Sequence, residues 1–283
     1  MLAPPREHER PRRPSMAFGQ LLGILTAREL RLRYRRTVLG WAWSMLNPIL
    51  MTAIYGVVFG ALFRIAVPVG SPSGIRGFTF FLLSGLLPWN LLATAVGGST
   101  MLITGNAHLI KRVRFRSEVL VASSVLALAI SLLIELLALV LAVALTQRVI
   151  PIRGLLGVPM IVLLLFGFVL GTSLLVASLA VFLRDLQYLV AIGLTAWLYL
   201  SAVVYPIRII PARVKFAGHV IPLRTFIRSN PMTAFVSAFR RCLYDGRFPS
   251  ANTLVQLTIY AIVSIGIGLT VFRRLSRHFT NAL

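Results

Sequence analysis

Six stretches of this chain are long and apolar enough to cross a bilayer, and no other feature restricts its fold as much. A helix needs roughly 20 mostly apolar residues to span about 30 Å of hydrocarbon, and it is favoured there because it satisfies its backbone N–H and C=O groups internally. The stretches run over Gly40–Phe63, Gly77–Ile103, Val119–Thr146, Gly154–Leu183, Tyr188–Tyr205 and Leu254–Phe272. They predict an all-α membrane protein with six transmembrane helices, which puts both termini on one side. Connections as brief as Arg184-Asp185 leave the apolar signal almost unbroken, so the ends of the spans are less sharply defined than their existence.

The charge has to be read against those spans. The chain carries 29 Lys and Arg against seven Asp and Glu, a balance that in a soluble protein points to nucleic acid. Here the basic residues are divided among short segments between apolar runs, so they read as topology signals and no nucleic-acid partner is expected. Seventeen of them lie on the side of the termini, against four in the short connections opposite, Arg64, Arg76, Arg148 and Arg153. Cytoplasmic connections carry the excess of Lys and Arg, so both termini are expected in the cytoplasm. The remaining eight fall in residues 206–253, on the external side, and do not obey that rule.

Three segments depart from plain spans. Residues 1–14 are rich in Arg and Pro without an apolar core, which predicts a disordered, uncleaved basic end. In residues 15–39, Phe18, Leu21, Leu22, Leu25 and Leu32 recur at helical spacing, while Gln20, Arg28, Arg31 and Arg35 lie mostly elsewhere on the wheel. That is an amphipathic helix, lying in the cytoplasmic headgroup region or docked on a partner protein. In residues 206–253 the apolar runs Val220–Leu223 and Met232–Phe239 are too short to cross, and Pro222 and Asn230-Pro231 interrupt them. Re-entrant helices dipping in from outside before the last span fit this pattern, as does an external amphipathic cap.

The string Arg33-Tyr34-Arg35-Arg36-Thr37-Val38-Leu39-Gly40-Trp41-Ala42-Trp43, followed by Leu46-Asn47-Pro48, resembles the start of ABC-2 type permeases that export polysaccharides. Asn106, Leu109, Ile110 and Phe115 are similar to that family's first cytoplasmic loop, Phe182 with Arg184-Asp185-Leu186 to its second, and Tyr205-Pro206 with Asn230-Pro231-Met232 to its external gate region. One position departs: Arg116 stands where the family usually has a proline. The resemblance implies that residues 40–283 form one permease domain, with residues 104–118 as the coupling loop and residues 206–253 as the gate. It also implies a homodimer with its conduit at the interface, two copies of a separate ATPase subunit holding ATP and Mg, and a place in a bacterial inner membrane. A lipid-linked polysaccharide of the cell envelope is the implied cargo.

The chain's own chemistry is binding and gating. Neither lysine, Lys111 or Lys215, follows a glycine-rich loop, so a Walker site is absent and no cofactor is expected in this chain. No paired carboxylates, metal-ligand spacing or nucleophile elbow marks a catalytic site or a metal site. Lone Cys242 allows no internal disulfide.

In the first cytoplasmic loop His108, Leu109, Lys111, Arg112, Phe115 and Arg116 would form a short helix with an apolar and a cationic face. Such a helix suits a partner's groove with acidic rims, or serves only topology and anionic lipid. By the resemblance the groove belongs to the ATPase, with Arg184 and Asp185 contributing from the second loop. Arg31, Arg33, Arg35 and Arg36 suit bidentate pairing with a pyrophosphate head group at the substrate entrance, or with membrane lipids. Outside, Arg208, Arg224 and Arg228, together with Arg240 and Arg241, suit the passage of a charged carrier. Tyr199, Tyr205 and Phe239 offer flat faces for a sugar in a conduit, although interfacial anchoring accounts for such aromatics equally well.

Two further features concern packing. Gly56/Gly60 and Gly167/Gly171 have the spacing that lets helix backbones approach closely, expected within one chain. Glu135, in the middle of the third span, must find a partner or water, because a carboxylate there costs roughly 2.5–3.5 kcal/mol. A hydrogen bond to a neighbouring helix is the expectation, with a proton relay as the alternative. Export of a small drug or lipid by the same fold, and an ion-coupled secondary transporter without an ATPase, are the competing functions. Changing Leu109 and Phe115 to aspartate is expected to abolish co-purification of the ATPase subunit; retained co-purification would exclude the docking role of this loop.

Overall fold

Length and hydropathy carry through into long helices. The computed structural model describes residues 18–34, 46, 49–50, 53–62, 67–108, 116–216 and 219–279. The amphipathic segment forms α1 (Phe18–Tyr34). Among the described residues four spans are long and apolar enough to cross a membrane: α3 (Phe78–Gly105), α4 (Glu118–Gln147), the stretch Ile152–Ala180, and α10 (Ala251–Ser276). The third of these is divided near Gly157 into α5 (Ile152–Leu155) and α6 (Val158–Ala180). Two apolar helices are shorter, α2 (Ala53–Leu62), which takes π geometry over Gly56–Leu62, and α7 (Leu186–Leu200). Arg148 adopts the left-handed conformation that ends α4 and turns the chain into α5.

The span expected over Tyr188–Tyr205 is helical only to Leu200, because the carbonyls that follow are taken by side chains. Asn230 Nδ2 donates to Leu200 O at 3.0 Å, and Arg240 Nη1 donates to Ala202 O at 2.8 Å. Ala202 itself sits at φ 50, outside helical geometry. The external region is also not wholly α. After a single 3₁₀ turn at Ile207–Ile209, β1 (Val214–Phe216) pairs antiparallel with β2 (His219–Ile221) before α8 (Leu223–Ser229) and α9 (Pro231–Leu243).

Packing sorts the helices into a centre and a periphery. Helices α3, α4 and α6 pack on one another, and α9 lies among α3, α5, α6 and α10. Ten of the thirteen residues of α9 are buried, which no external amphipathic cap would require. Gly154 is needed there, since a Cβ would collide with the backbone carbonyl of Cys242. Helix α1 rests along α4, with Thr26 buried and Leu25 against the core, while Phe18, Ile24 and Leu32 stay exposed. None of the fifteen residues of α7 is buried.

The glycine expectations divide. Gly171 meets α10 backbone to backbone at Ser264 and Gly268, and Gly167 faces Ile265 and Ala261. Ser264 Oγ adds a hydrogen bond to Phe168 O at 2.8 Å across the same seam. A Cβ added at Gly56 would meet nothing within 4 Å among the described residues, and one at Gly60 would meet Phe78 at an ordinary 3.8 Å. Glu135 is half-buried, and no charged or hydrogen-bonding group among the described residues acts on its carboxylate. Gly171→Val is expected to force α6 and α10 apart and destabilise the protein by about 2 kcal/mol or more, read as a lower melting temperature in detergent than for Gly56→Val.

Candidate functional site

The residues singled out in the sequence fall at two opposite ends of the bundle. At one end lie the start of α3, the end of α7 and the 206–253 region; at the other lie the end of α3, the starts of α4 and α7, and the end of α10.

At the first end the organising element is Asn230. Its Oδ1 caps α9 by accepting the N–H of Met232 at 3.0 Å, and accepts Trp197 Nε1–H at 2.8 Å. Its Nδ2 donates to Leu200 O and to Ser201 Oγ, at 3.0 and 3.1 Å. One amide thereby binds the end of α7 to the start of α9, and Pro231 follows at N1, where its missing N–H costs nothing. Trp197 is held further by edge-on contacts with Trp89 and Phe168, at centroid distances of 6.1 and 6.4 Å.

Arg240 is the second organising group. It is the one charged side chain buried among the described residues. Its guanidinium donates to Phe81 O at 3.3 Å, to Ala202 O at 2.8 Å and to Val203 O, and stands 3.7 Å from the centroid of the Phe81 ring. Arg240 is therefore not an external arginine open to a carrier. The planar fork of Arg, with donors in several directions, is what the three carbonyls require. The sequence marks it only by position: Arg240 directly follows the apolar run Met232–Phe239, beside Arg241, which is not buried.

The other residues expected at this end are placed unevenly. Tyr199 is exposed, and Tyr205 donates its hydroxyl to Tyr199 O, bringing these two together. Phe239 is fully buried in the core, so it faces no surface of the single chain; its position on α9 next to Arg240 explains why. Arg224 uses its guanidinium on the carbonyls of Ile210 and, at 3.4 Å, Arg208, fastening α8 to the preceding 3₁₀ turn. Arg208 and Arg228 are exposed. Arg241 lines a cavity of about 260 Å³ with Ser237, Asp245, Arg247 and Thr253. Burial pushes the Asp245 carboxyl up, opposed by the Ser71 N–H and the guanidinium groups of Arg247, Arg241 and Arg240.

At the opposite end His108 and Arg116 are exposed at the edges of the first loop, and Arg184 and Asp185 are exposed in the turn before α7. Leu109, Lys111, Arg112 and Phe115 lie outside the described residues, as do Arg35 and Arg36. Arg31 is exposed on α1, and Arg33 is part of the same helix. Two contacts here have no signature in the sequence. Glu118, at the end of the first loop, pairs with Arg273 at 3.2 Å, and Phe279 is buried against Phe182 of the second loop.

Comparisons with known proteins agree along nearly the whole chain. Residues 20–244 match the family model for the ABC-2 type transporter. The chain is 30% identical over 267 residues to an O-antigen export system permease protein, RfbA, of Myxococcus xanthus, covering 94% of this chain and 96% of the relative. A protein of the same name from Klebsiella pneumoniae is 26% identical, covering 93% and 95%. The polysialic acid transport protein KpsM of Escherichia coli is 23% identical, covering 88% and 91%.

Arg240→Lys is expected to lose two of the three carbonyl contacts and the ring stacking, lowering stability by about 2–4 kcal/mol. Thermal unfolding of the purified protein in detergent checks this, with Arg228→Lys expected to stay near the parent value.

Proposed function

The chain belongs to the ABC-2 type transporter family, and from that premise we propose that it is the permease subunit of an ABC exporter that moves a lipid-linked cell-envelope polysaccharide outward across the bacterial inner membrane. The observation that carries the cargo class is the similarity, over 94% of this chain, to a relative named as an O-antigen export permease. The energy comes from a separate ATPase subunit, present in two copies, which holds ATP and Mg.

In this reading the permease has six transmembrane helices, the short α2 and α7 among them, and both termini are cytoplasmic. The end that carries residues 104–118 faces the cytoplasm, as its excess of basic residues requires. Helices α8 and α9 are the re-entrant gate helices, a reading supported by the burial of α9 among the spans. Two copies of the chain face each other across the conduit. This is supported by α7, which buries no residue and leaves Tyr188, Leu189, Ile192 and Tyr199 exposed. Tyr199 and Tyr205 then line the outer part of the conduit, where aromatic faces let a glycan slide without tight binding.

At the cytoplasmic end, His108, Leu109, Lys111, Arg112, Phe115 and Arg116 dock in a groove of the ATPase, with Arg184 and Asp185 of the second loop beside them. Arg31, Arg33, Arg35 and Arg36 receive the pyrophosphate head of the carrier lipid. Closure of the ATPase pair on ATP displaces the first loop, and the bundle passes that displacement to the gate.

The permease co-expressed with its ATPase and reconstituted in liposomes is expected to hydrolyse ATP faster when the lipid-linked polysaccharide is added, with glycan moved across the membrane. Hydrolysis that ignores the glycan and responds to a small amphiphilic drug would overturn the assignment of cargo.

A further inference from the structure

We infer that the cytoplasmic tip of α10 and the residues after it form a bracket joining the two cytoplasmic loops, with Arg273 and Phe279 as positioning residues for the coupling of ATP hydrolysis to export. The inference rests on the reading of those loops as ATPase-contacting elements. Two contacts made by one chain segment carry it. Arg273 Nε lies 3.2 Å from Glu118 Oε1, at the point where the first loop enters α4. Six residues later Phe279 is 1% exposed, with its ring 6.2 Å from that of Phe182 in the second loop and 5.5 Å edge-on from that of Phe272.

The two contacts differ in kind. An ion pair whose arginine is 60% exposed is weak by itself and sets direction more than strength. A buried phenylalanine between two other rings is held by apolar burial and resists separation. Together they mean that neither loop can move far without moving the tip of α10.

The tip is not free to tilt alone. Gly171 and Gly268 bring α6 and α10 into backbone contact, and Ser264 Oγ bonds across the seam. Helix α6 ends just before Phe182, so loop two, α6 and α10 form one closed mechanical unit. A helix of 26 residues is about 39 Å long. Thirteen residues back from Arg273, about 20 Å along the helix, Tyr260 Oη donates to Ser229 O at the junction of α8 and α9. A push on the first loop thus reaches the second loop at once and the α8–α9 junction through a rigid pair of helices.

The test uses the full permease–ATPase complex in liposomes, with three readouts: ATPase co-purification, basal ATP hydrolysis, and glycan exported per ATP hydrolysed. Phe279→Ala is expected to keep co-purification, hold basal hydrolysis within about twofold, and lower glycan per ATP about fivefold or more, the low end of a coupling free energy between sites. Phe279→Leu should recover most of that ratio. Arg273→Glu should also lower it, and the exchange Glu118→Arg/Arg273→Glu should restore it. A Phe279→Ala complex that exports with the parent ratio overturns the bracket, as does a charge exchange that restores nothing. If Phe279→Ala fails to fold, the charge exchange decides. Failure of the parent permease to retain its ATPase would instead refute the underlying reading of the loops, before any variant is compared.

Discussion

Most of the end of the bundle that holds residues 206–243 depends on one cation surrounded by backbone. The Arg240 guanidinium draws together the first turn of α3, the turn after α7 and the body of α9, elements separated by up to 159 positions in sequence. Taking a charge out of water is costly unless it is hydrogen-bonded on most sides, so this side chain admits few alternative arrangements. Two of its three carbonyl partners, Ala202 O and Val203 O, lie outside helical geometry because α7 stops at Leu200 and Ala202 leaves the helix. The shortness of α7 and the burial of α9 are therefore two faces of one solution.

Asn230 completes that solution from the other side. A single amide caps α9, stops α7 and holds Trp197, whose ring then meets Trp89 and Phe168. Residues 206–243 are thus tied to the end of α7 and the start of α3 by one amide and one guanidinium. Among the described residues the opposite end holds no buried charged side chain. Its loops are secured by an ion pair whose arginine is exposed and by an aromatic contact.

Much of this was legible beforehand, for identifiable reasons. Hydrophobic length alone located every long helix, since the bilayer enforces it, and Gly167/Gly171 revealed a close crossing because small residues serve few other ends in a span. The Asn230-Pro231 pair marked a break between apolar runs, yet nothing local could tell that its amide also binds Trp197, 33 residues earlier. Arg240 was counted with the surface arginines, because its partners, Phe81, Ala202 and Val203, are distant in sequence and are backbone atoms, which carry no residue signature. The β1–β2 hairpin escaped notice for want of a strand-length alternating run. Phe279 stood too near the chain end to enter any pattern, and Glu135 announced a need for a partner without naming one.

The chemistry of the Arg240 site has a consequence for acidification. A carboxylate partner would take up a proton as the surroundings turned acidic and release the arginine. Amide carbonyls do not titrate, so the attachments of Arg240 to Phe81, Ala202 and Val203 persist through an acid excursion on the side assigned to the outside. The Glu118–Arg273 pair is an attraction between two charges whose arginine is 60% exposed, so salt screens it while leaving the carbonyl contacts of Arg240 untouched. In the proposed orientation the molecule thus keeps a condition-independent closure toward the variable environment and confines its adjustable contact to the buffered one.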